Sequence, residues 1–468
     1  MIGNIERPGS LFYFVLGNQV SLIKDDLLEP VDSLLGDEAL LEIVTEALGR
    51  RRPRSGEVGR EGMAPDRLLR SFVLKHLKQW SFRELAREVR NSLLYRKFTR
   101  FDADVVPDAS TFCRNFELLD GDAAQKIHKR IVVLSKDAGV AQGRRMRSDT
   151  TVVETDIRHP TDSGLLADGI RVLTRLLRRA GACLPGITVV GHARSTMNRV
   201  LEIRRAARCM TEANRRRLER SYRRLLAIAR GVLRQSMAVA ARMGRTPTSR
   251  RTRELDRVRV QLEHYSALLG RVIGQTKARL FGGDTHAPHK VLSLFEPHTE
   301  VIRKGKAGKP TEFGRLLRID EVENGIVSNF AVLKGNPSDT SAWIPALDGH
   351  VEVFGRPPEI AVADRGYHSA ANEGHARKLG VKTIALPARG PLSATQKAKQ
   401  RGRAFRRAQR WRAGIEARNS ALKHRYGLDR ARYRGEAGFL RYVAGGIIVN
   451  NLVAIARTLV RRRMRRVA

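Results

Sequence analysis

The chain has 468 residues, long enough for two to four domains with a sizeable core. It carries 88 Lys and Arg against 48 Asp and Glu, a formal net charge of +40 spread along its whole length. Such a field selects a polyanionic partner, nucleic acid before an anionic membrane. Three widely spaced cysteines, Cys113, Cys183 and Cys209, exclude a disulfide framework or a zinc cluster.

Residues 1–63 read as an N-terminal arm with a basic linker, Arg50-Arg51-Arg52-Pro53-Arg54-Ser55-Gly56, and without a basic leader or cleavage site. Residues 64–140 turn helical. Leu68, Leu69, Phe72, Val73, Leu77 and Trp80 form one apolar stripe. Ser81 with Glu84 predicts a capping box, and Asp108 or Ser110 caps a further helix. Short helices with basic faces suit a DNA-reading helix-turn-helix or a packing and dimerisation module, and both remain open.

Residues 141–164 contain a Thr/Val-rich strand around Ser148-Asp149-Thr150-Thr151-Val152-Val153-Glu154. Residues 165–283 are a helical insertion. In it two series, from Leu218 to Met243 and from Leu255 to Val272, step by four and three around a polar break at 244–253. That spacing predicts an antiparallel coiled-coil hairpin with arginine on its outer faces, a clamp on DNA or on a second subunit. Residues 284–456 return to strand patterns: Val291–Phe295, Leu316–Asp320 and Ile326–Leu333, with Glu323-Asn324-Gly325 as a hairpin turn. A helix over 342–354 leads to the strand Glu359–Asp364. The apolar stretch Tyr442–Ala456 is too short to span a bilayer and carries Asn450 and Asn451, so it reads as a buried core helix. Residues 457–468 form a basic tail that touches DNA nonspecifically or stays disordered.

The chemistry sits late in the chain. Asp364 closes an apolar strand before Arg365-Gly366-Tyr367, where fixed backbone can hold a metal ligand. Arg412, Glu416 and Lys423 fall within about 40° of one another on a single helix face. A carboxylate between two cations suits metal-assisted chemistry on a phosphodiester. Asp149 is the best third carboxylate, with Glu154 and Asp156 as rivals. Asp284, His286 and His289 make an incomplete transition-metal set.

The segments Asp149–Glu154 and Val362–Tyr367, with the Arg412–Glu416–Lys423 spacing, resemble bacterial insertion-sequence DDE transposases, and the Asp108-Ala109-Ser110-Thr111 helix start with the preceding helices resembles the N-terminal helical domain of that group. One position departs: the family often has Tyr three residues before the Arg, and here Gln409 stands there. The resemblance implies an α/β fold, an RNase H-like mixed sheet with flanking helices, an N-terminal helical domain and the helical insertion after the first core strand. It implies Asp149, Asp364 and Glu416 as catalytic residues and ligands of two Mg²⁺ ions, with Mn²⁺ able to substitute. It implies cleavage at element ends and 3′-OH strand transfer into target DNA. Arg412, Lys423, Arg365, Lys304, Lys306 and Lys309 would contact DNA. The expected setting is the bacterial cytoplasm at the nucleoid, with double-stranded DNA and further copies of the chain as partners and no membrane. The alternatives are a DNA-binding transposase remnant without chemistry and an RNase H-like nuclease without strand transfer.

Overall fold

The computed structural model describes residues 22–50, 62–182, 184, 186–243, 250–285, 290–303 and 310–467. The chain divides into two compact units, residues 1–155 with 301–468, and residues 156–300.

The first unit begins with helices α1 (Leu28–Leu34), α2 (Glu38–Gly49), α3 (Pro65–Lys78), α4 (Phe82–Asn91), α5 (Leu93–Thr99), α6 (Ala109–Phe116) and α7 (Gly121–Asp137). Their starts are written locally. Ser81 and Glu84 exchange both hydrogen bonds of a capping box, and Asp108 accepts from the Thr111 amide at the start of α6. Leu68, Leu69, Phe72 and Val73 are fully buried on α3, each stabilising the fold by about 1.5–3 kcal/mol. Strand β1 (Arg145–Thr155) follows.

The second unit holds α8 (Asp162–Gly181), α9 (Ala193–Ala206), α10 (Glu212–Arg242) and α11 (Arg250–Gly282). The two long helices with four-three spacing are α10 and α11, but they are not a free hairpin arm. Leu166, Leu173 and Leu177 of α8 and Val200 and Ile203 of α9 share one core with Leu225, Val232, Leu262 and Leu269. The hairpin becomes half of a four-helix packing, because the apolar faces are wide enough to take neighbours on both sides. Val291–Phe295, expected as a strand, is not one. The side-chain amide of Gln275 takes both main-chain groups of Val291, at 2.9 and 3.0 Å, and Ser293 Oγ accepts the amides of Phe295 and Glu296 in a turn. Val291 and Leu294 are buried in the helical core instead.

From there the chain continues through β2 (Glu300–Ile302), β3 (Glu312–Glu321), β4 (Val327–Leu333), α12 (Trp343–Phe354), β5 (Ile360–Val362), α13 (Ala370–Lys378), β6 (Thr383–Ala385), α14 (Ala394–Arg401), α15 (Arg403–Tyr426), β7 (Arg430–Ala431) and α16 (Gly435–Val467). These strands and β1 form a mixed seven-stranded sheet in the order β2-β3-β1-β5-β6, with β4 on β3 and β7 on β1. β1 runs antiparallel to β3 and parallel to β5, and β5 is parallel to β6. The β3–β4 turn is tight: Asn324 and Gly325 both have positive φ, and a Cβ on Gly325 would stand 1.8 Å from an Arg418 nitrogen.

Helix α16 is long and apolar enough by length and composition to cross a membrane, yet most of its apolar stretch is buried, and it packs on α7, α3 and α1. Its two asparagines have partners in the core. Asn451 brackets the main chain of Val327 at 2.9 and 2.8 Å, and Asn450 donates to Gly325 O while accepting from Arg418 at 2.7 Å. The basic end of the chain is the last turns of this helix, not a disordered tail. Arg462 there donates to the carbonyls of Ala138 and Gly139.

Candidate active site at the ends of β1 and β5

Asp149 lies on β1, just past the residues that pair with β5. The parallel register runs Arg145 to Ile360 and Arg147 to Val362, and Asp149 and Asp364 each follow two residues beyond its last pair. Both side chains are partly exposed. Asp364 caps a 3-10 turn (Arg365–Tyr367) through Oδ1, which accepts from the Gly366 amide at 2.7 Å. Its Oδ2 has no partner among the described residues. Asp149 Oδ1 accepts from the Thr150 amide and Oδ2 from Asn419 Nδ2, each at 2.8 Å.

Asn419 belongs to α15, three residues beyond Glu416 and on the same face. Glu416 is exposed and 3.8 Å from Arg412, its own-helix neighbour. Lys423 is half-buried two turns from Glu416, and Arg365 is exposed on the turn after Asp364. Lys304, Lys306 and Lys309 lie outside the described residues, as do His286 and His289. The rivals to Asp149 stand further along β1. Glu154 forms an ion pair with Arg430 at 3.0 Å, and Asp156 is exposed at the start of the second unit.

Several contacts fix α15 across this strand end. Gln409 Nε2 donates to the carbonyls of Ala363 at 3.1 Å and Ala385 at 2.7 Å, tying the helix to the ends of β5 and β6. Arg147 of β1 donates to Trp411 O and stacks over its ring, 4.7 Å from the centroid. The same guanidinium binds Glu321 of β3 in two-pronged fashion at 2.8 and 2.9 Å, and Arg418 approaches Glu321 at 3.3 Å. A Cβ on Gly414 would stand 2.5 Å from an Arg147 nitrogen, so the guanidinium would have to shift.

The opposite face of β1 is also polar. Ser148 donates to Asp320 at 2.6 Å, and Arg318 pairs with the same carboxylate at 3.0 Å. Burial pushes the Asp320 carboxyl up, against the pull of Arg318. Burial likewise raises the Tyr367 phenol well above its ordinary range.

Sequence reading singled out Asp149, Asp364, Glu416 and the cations but missed Asn419, Arg147 and Glu321. Only Asn419 left a signal, by sharing the face of Glu416.

Among the described residues no three His, Cys, Asp or Glu side chains close into a metal cage. The donors at the strand ends are all oxygen and the arrangement is open. That suits Mg²⁺, which is held by one or two carboxylates plus substrate phosphates rather than by an all-protein cage.

A family model described as Transposase domain (DUF772) matches residues 15–118, and one described as Transposase DDE domain matches residues 319–452. The chain belongs to the insertion-sequence DDE transposases. No curated protein and no solved structure matches it. Membership makes this transposase a DNA-transposition protein, with DNA as its partner and divalent-metal chemistry in general terms. The DDE match starts within β3, before Asp320, and includes Asp364, Glu416 and α15 whole, whereas Asp149 stands upstream of it.

Proposed function

We propose that this transposase cleaves the ends of its element and joins the freed 3′-OH to target DNA, on an RNase H-like core. Asp149, Asp364 and Glu416 would be the catalytic carboxylates. The observation that supports this reading is the β1–β5 register, which ends at Arg147 and Val362, two residues before Asp149 and Asp364, together with Asn419, which ties Asp149 to the helix of Glu416. Divalent cations, Mg²⁺ foremost, would be held by these three side chains and supply charge neutralisation for phosphoryl transfer. The protein's own part is positioning. Asn419 orients one oxygen of Asp149, and the Gly366 amide orients one oxygen of Asp364.

Arg412, Lys423 and Arg365 would contact DNA phosphates, giving affinity rather than sequence choice. In the second unit Arg215, Arg217, Arg220, Arg224 and Arg234 are exposed on α10 without an ion-pair partner among the described residues, which supports a second phosphate-contacting surface.

The test is strand cleavage of duplex DNA carrying the gene's own flanking sequences, in Mg²⁺ and then in EDTA, for wild type and Asp364→Asn. Metal-dependent 3′ cuts absent from the variant, followed by joining to a target duplex, support the reading. Tight DNA binding without cuts, in Mn²⁺ and with paired ends as well, would leave a DNA-binding remnant. Cuts without joining would leave a nuclease.

A further inference from the structure

A fourth carboxylate reaches the same strand end from the α12 side. Asp339 opens the 3-10 turn Asp339–Ala342 that leads into α12. Its Oδ1 accepts from Thr150 Oγ1 at 2.9 Å, and Thr150 follows Asp149 on β1 with its side chain on the other face. Its Oδ2 has no partner among the described residues and lies 2.8 Å from the point a Cβ on Gly366 would occupy. Asp364 Oδ1 lies 2.8 Å from that same point, so the two oxygens are no more than twice that distance apart. Any side chain at 366 would collide with both carboxylates. The glycine of the Asp-x-Gly-Tyr turn therefore lets two acidic side chains converge.

A separate observation indicates that an oxygen-binding ligand belongs here. Among the described residues the Tyr367 hydroxyl is fully buried without a well-formed hydrogen bond, beside Ser148 and within electrostatic reach of Asp149, Asp320 and Asp339. Ser148 gives its proton to Asp320 and can only accept from the phenol. A buried hydroxyl that is under-satisfied among carboxylates leaves room for an oxygen-binding ligand. Oxygen ligands about 2.0–2.1 Å from Mg²⁺ stand about 4 Å apart across the ion, so Asp339 and Asp364 need only a small rotation, or one ligated water, to share a cation.

We propose that Asp339 is a fourth acidic residue of the divalent-cation site, sharing a cation with Asp364 from the α12 side. This rests on the reading of Asp149 and Asp364 as cation ligands. The test is Mn²⁺ titration of the full chain by electron paramagnetic resonance, with the flanking duplex bound, for wild type, Asp339→Asn and Asp364→Asn. Asparagine keeps the acceptor for Thr150 and the shape of the turn. The expected result is Mn²⁺ affinity about 10–100-fold weaker in Asp339→Asn, with DNA binding and thermal unfolding unchanged. Wild-type Mn²⁺ affinity in Asp339→Asn, alongside its loss in Asp364→Asn, overturns the role of Asp339 and leaves the active-site reading standing. Wild-type affinity in both variants, or no binding to the wild-type chain, overturns both. Should Asp339→Asn fail to fold, Fe²⁺-directed hydroxyl-radical scission of the wild-type backbone replaces it. Cuts near residue 339 as well as near 149 and 364 support the proposal, and cuts near 149 and 364 alone overturn it.

Discussion

Asn419 donates a 2.8 Å hydrogen bond to Asp149, and so joins the first carboxylate of the site to the helix that carries Glu416. If Asp149 is a metal ligand as proposed, removing that donor in Asn419→Ala slows single-turnover strand cleavage about 10–100-fold, the usual effect of losing a residue that orients such a ligand. DNA affinity should hold, because no cation is lost. Unaltered cleavage would show that Asp149 keeps its orientation without Asn419.

Gln409 stands where the resemblance often has tyrosine, and its amide bridges two strand-end carbonyls, one of them the residue before Asp364. Gln409→Ala leaves both carbonyls without this donor. Each such loss costs about 1–3 kcal/mol where water cannot replace the partner. Urea unfolding should register the loss in midpoint at unchanged slope. A variant as stable as wild type would mean that water takes over the bridge.

Glu321 is fully buried and holds Arg147 and Arg418. In Glu321→Gln both cations lose their counter-charge, and Arg147 is itself buried. Breaking a buried pair by removing one partner costs about 3–5 kcal/mol. Double substitution with Arg147→Met should recover part of that stability, and a purely additive loss would argue against coupling.

How far the sequence disclosed these arrangements depended on sequence distance. The capping box of Ser81 and Glu84, the Asp108 cap and the Asn324-Gly325 turn are decided within four residues, and each was legible. The Asp364 turn was also legible, as an apolar run ending in Asp before Gly. Val291–Phe295 was not. A five-residue apolar run looks alike as strand and as core loop, and the decision came from Gln275, sixteen residues upstream. Asp339 was silent for the same reason, because its partners Thr150 and Gly366 lie on other elements. The four-three spacing of α10 and α11 announced helices that pack, but not that α8 and α9 complete the bundle.

Two buried histidines predict an acid limb of stability. Burial lowers His128 to about 4, its Nε2 facing Val327 O at 2.9 Å, and lowers His350 to about 4 beside Gly143 O. Both are held neutral in the fold, while the unfolded chain takes up protons near pH 6.5. Their stabilisation is therefore complete above that pH and declines as pH falls toward 4. The expected loss is of the order of 3 kcal/mol per histidine over that window. Thermal unfolding followed from pH 7 to 4 should show it, and His128→Gln should flatten the slope. A slope unchanged in that variant would assign the acid limb elsewhere.

Lys423 shares the Glu416 face of α15. Lys423→Ala should lower the salt dependence of DNA binding by about one counterion. Fluorescence anisotropy at several salt concentrations gives the slope directly, and an unchanged slope would remove Lys423 from the phosphate contacts.

The position of the helical insertion also sets an order of events during synthesis. β1 pairs with β3 across Glu154 and Gly314, residues about 160 positions apart. At ribosomal speeds of about 5–20 residues per second, β1 leaves the tunnel roughly 10–30 s before its antiparallel neighbour exists. Val152 and Val153, buried in the finished sheet, have no strand to meet in that interval. The second unit has its own core and is made entirely within it, so it can fold first and shorten the span that β3 must close. Assembly of the strand that bears Asp149 is thus timed by a domain that contributes nothing to the sheet's core.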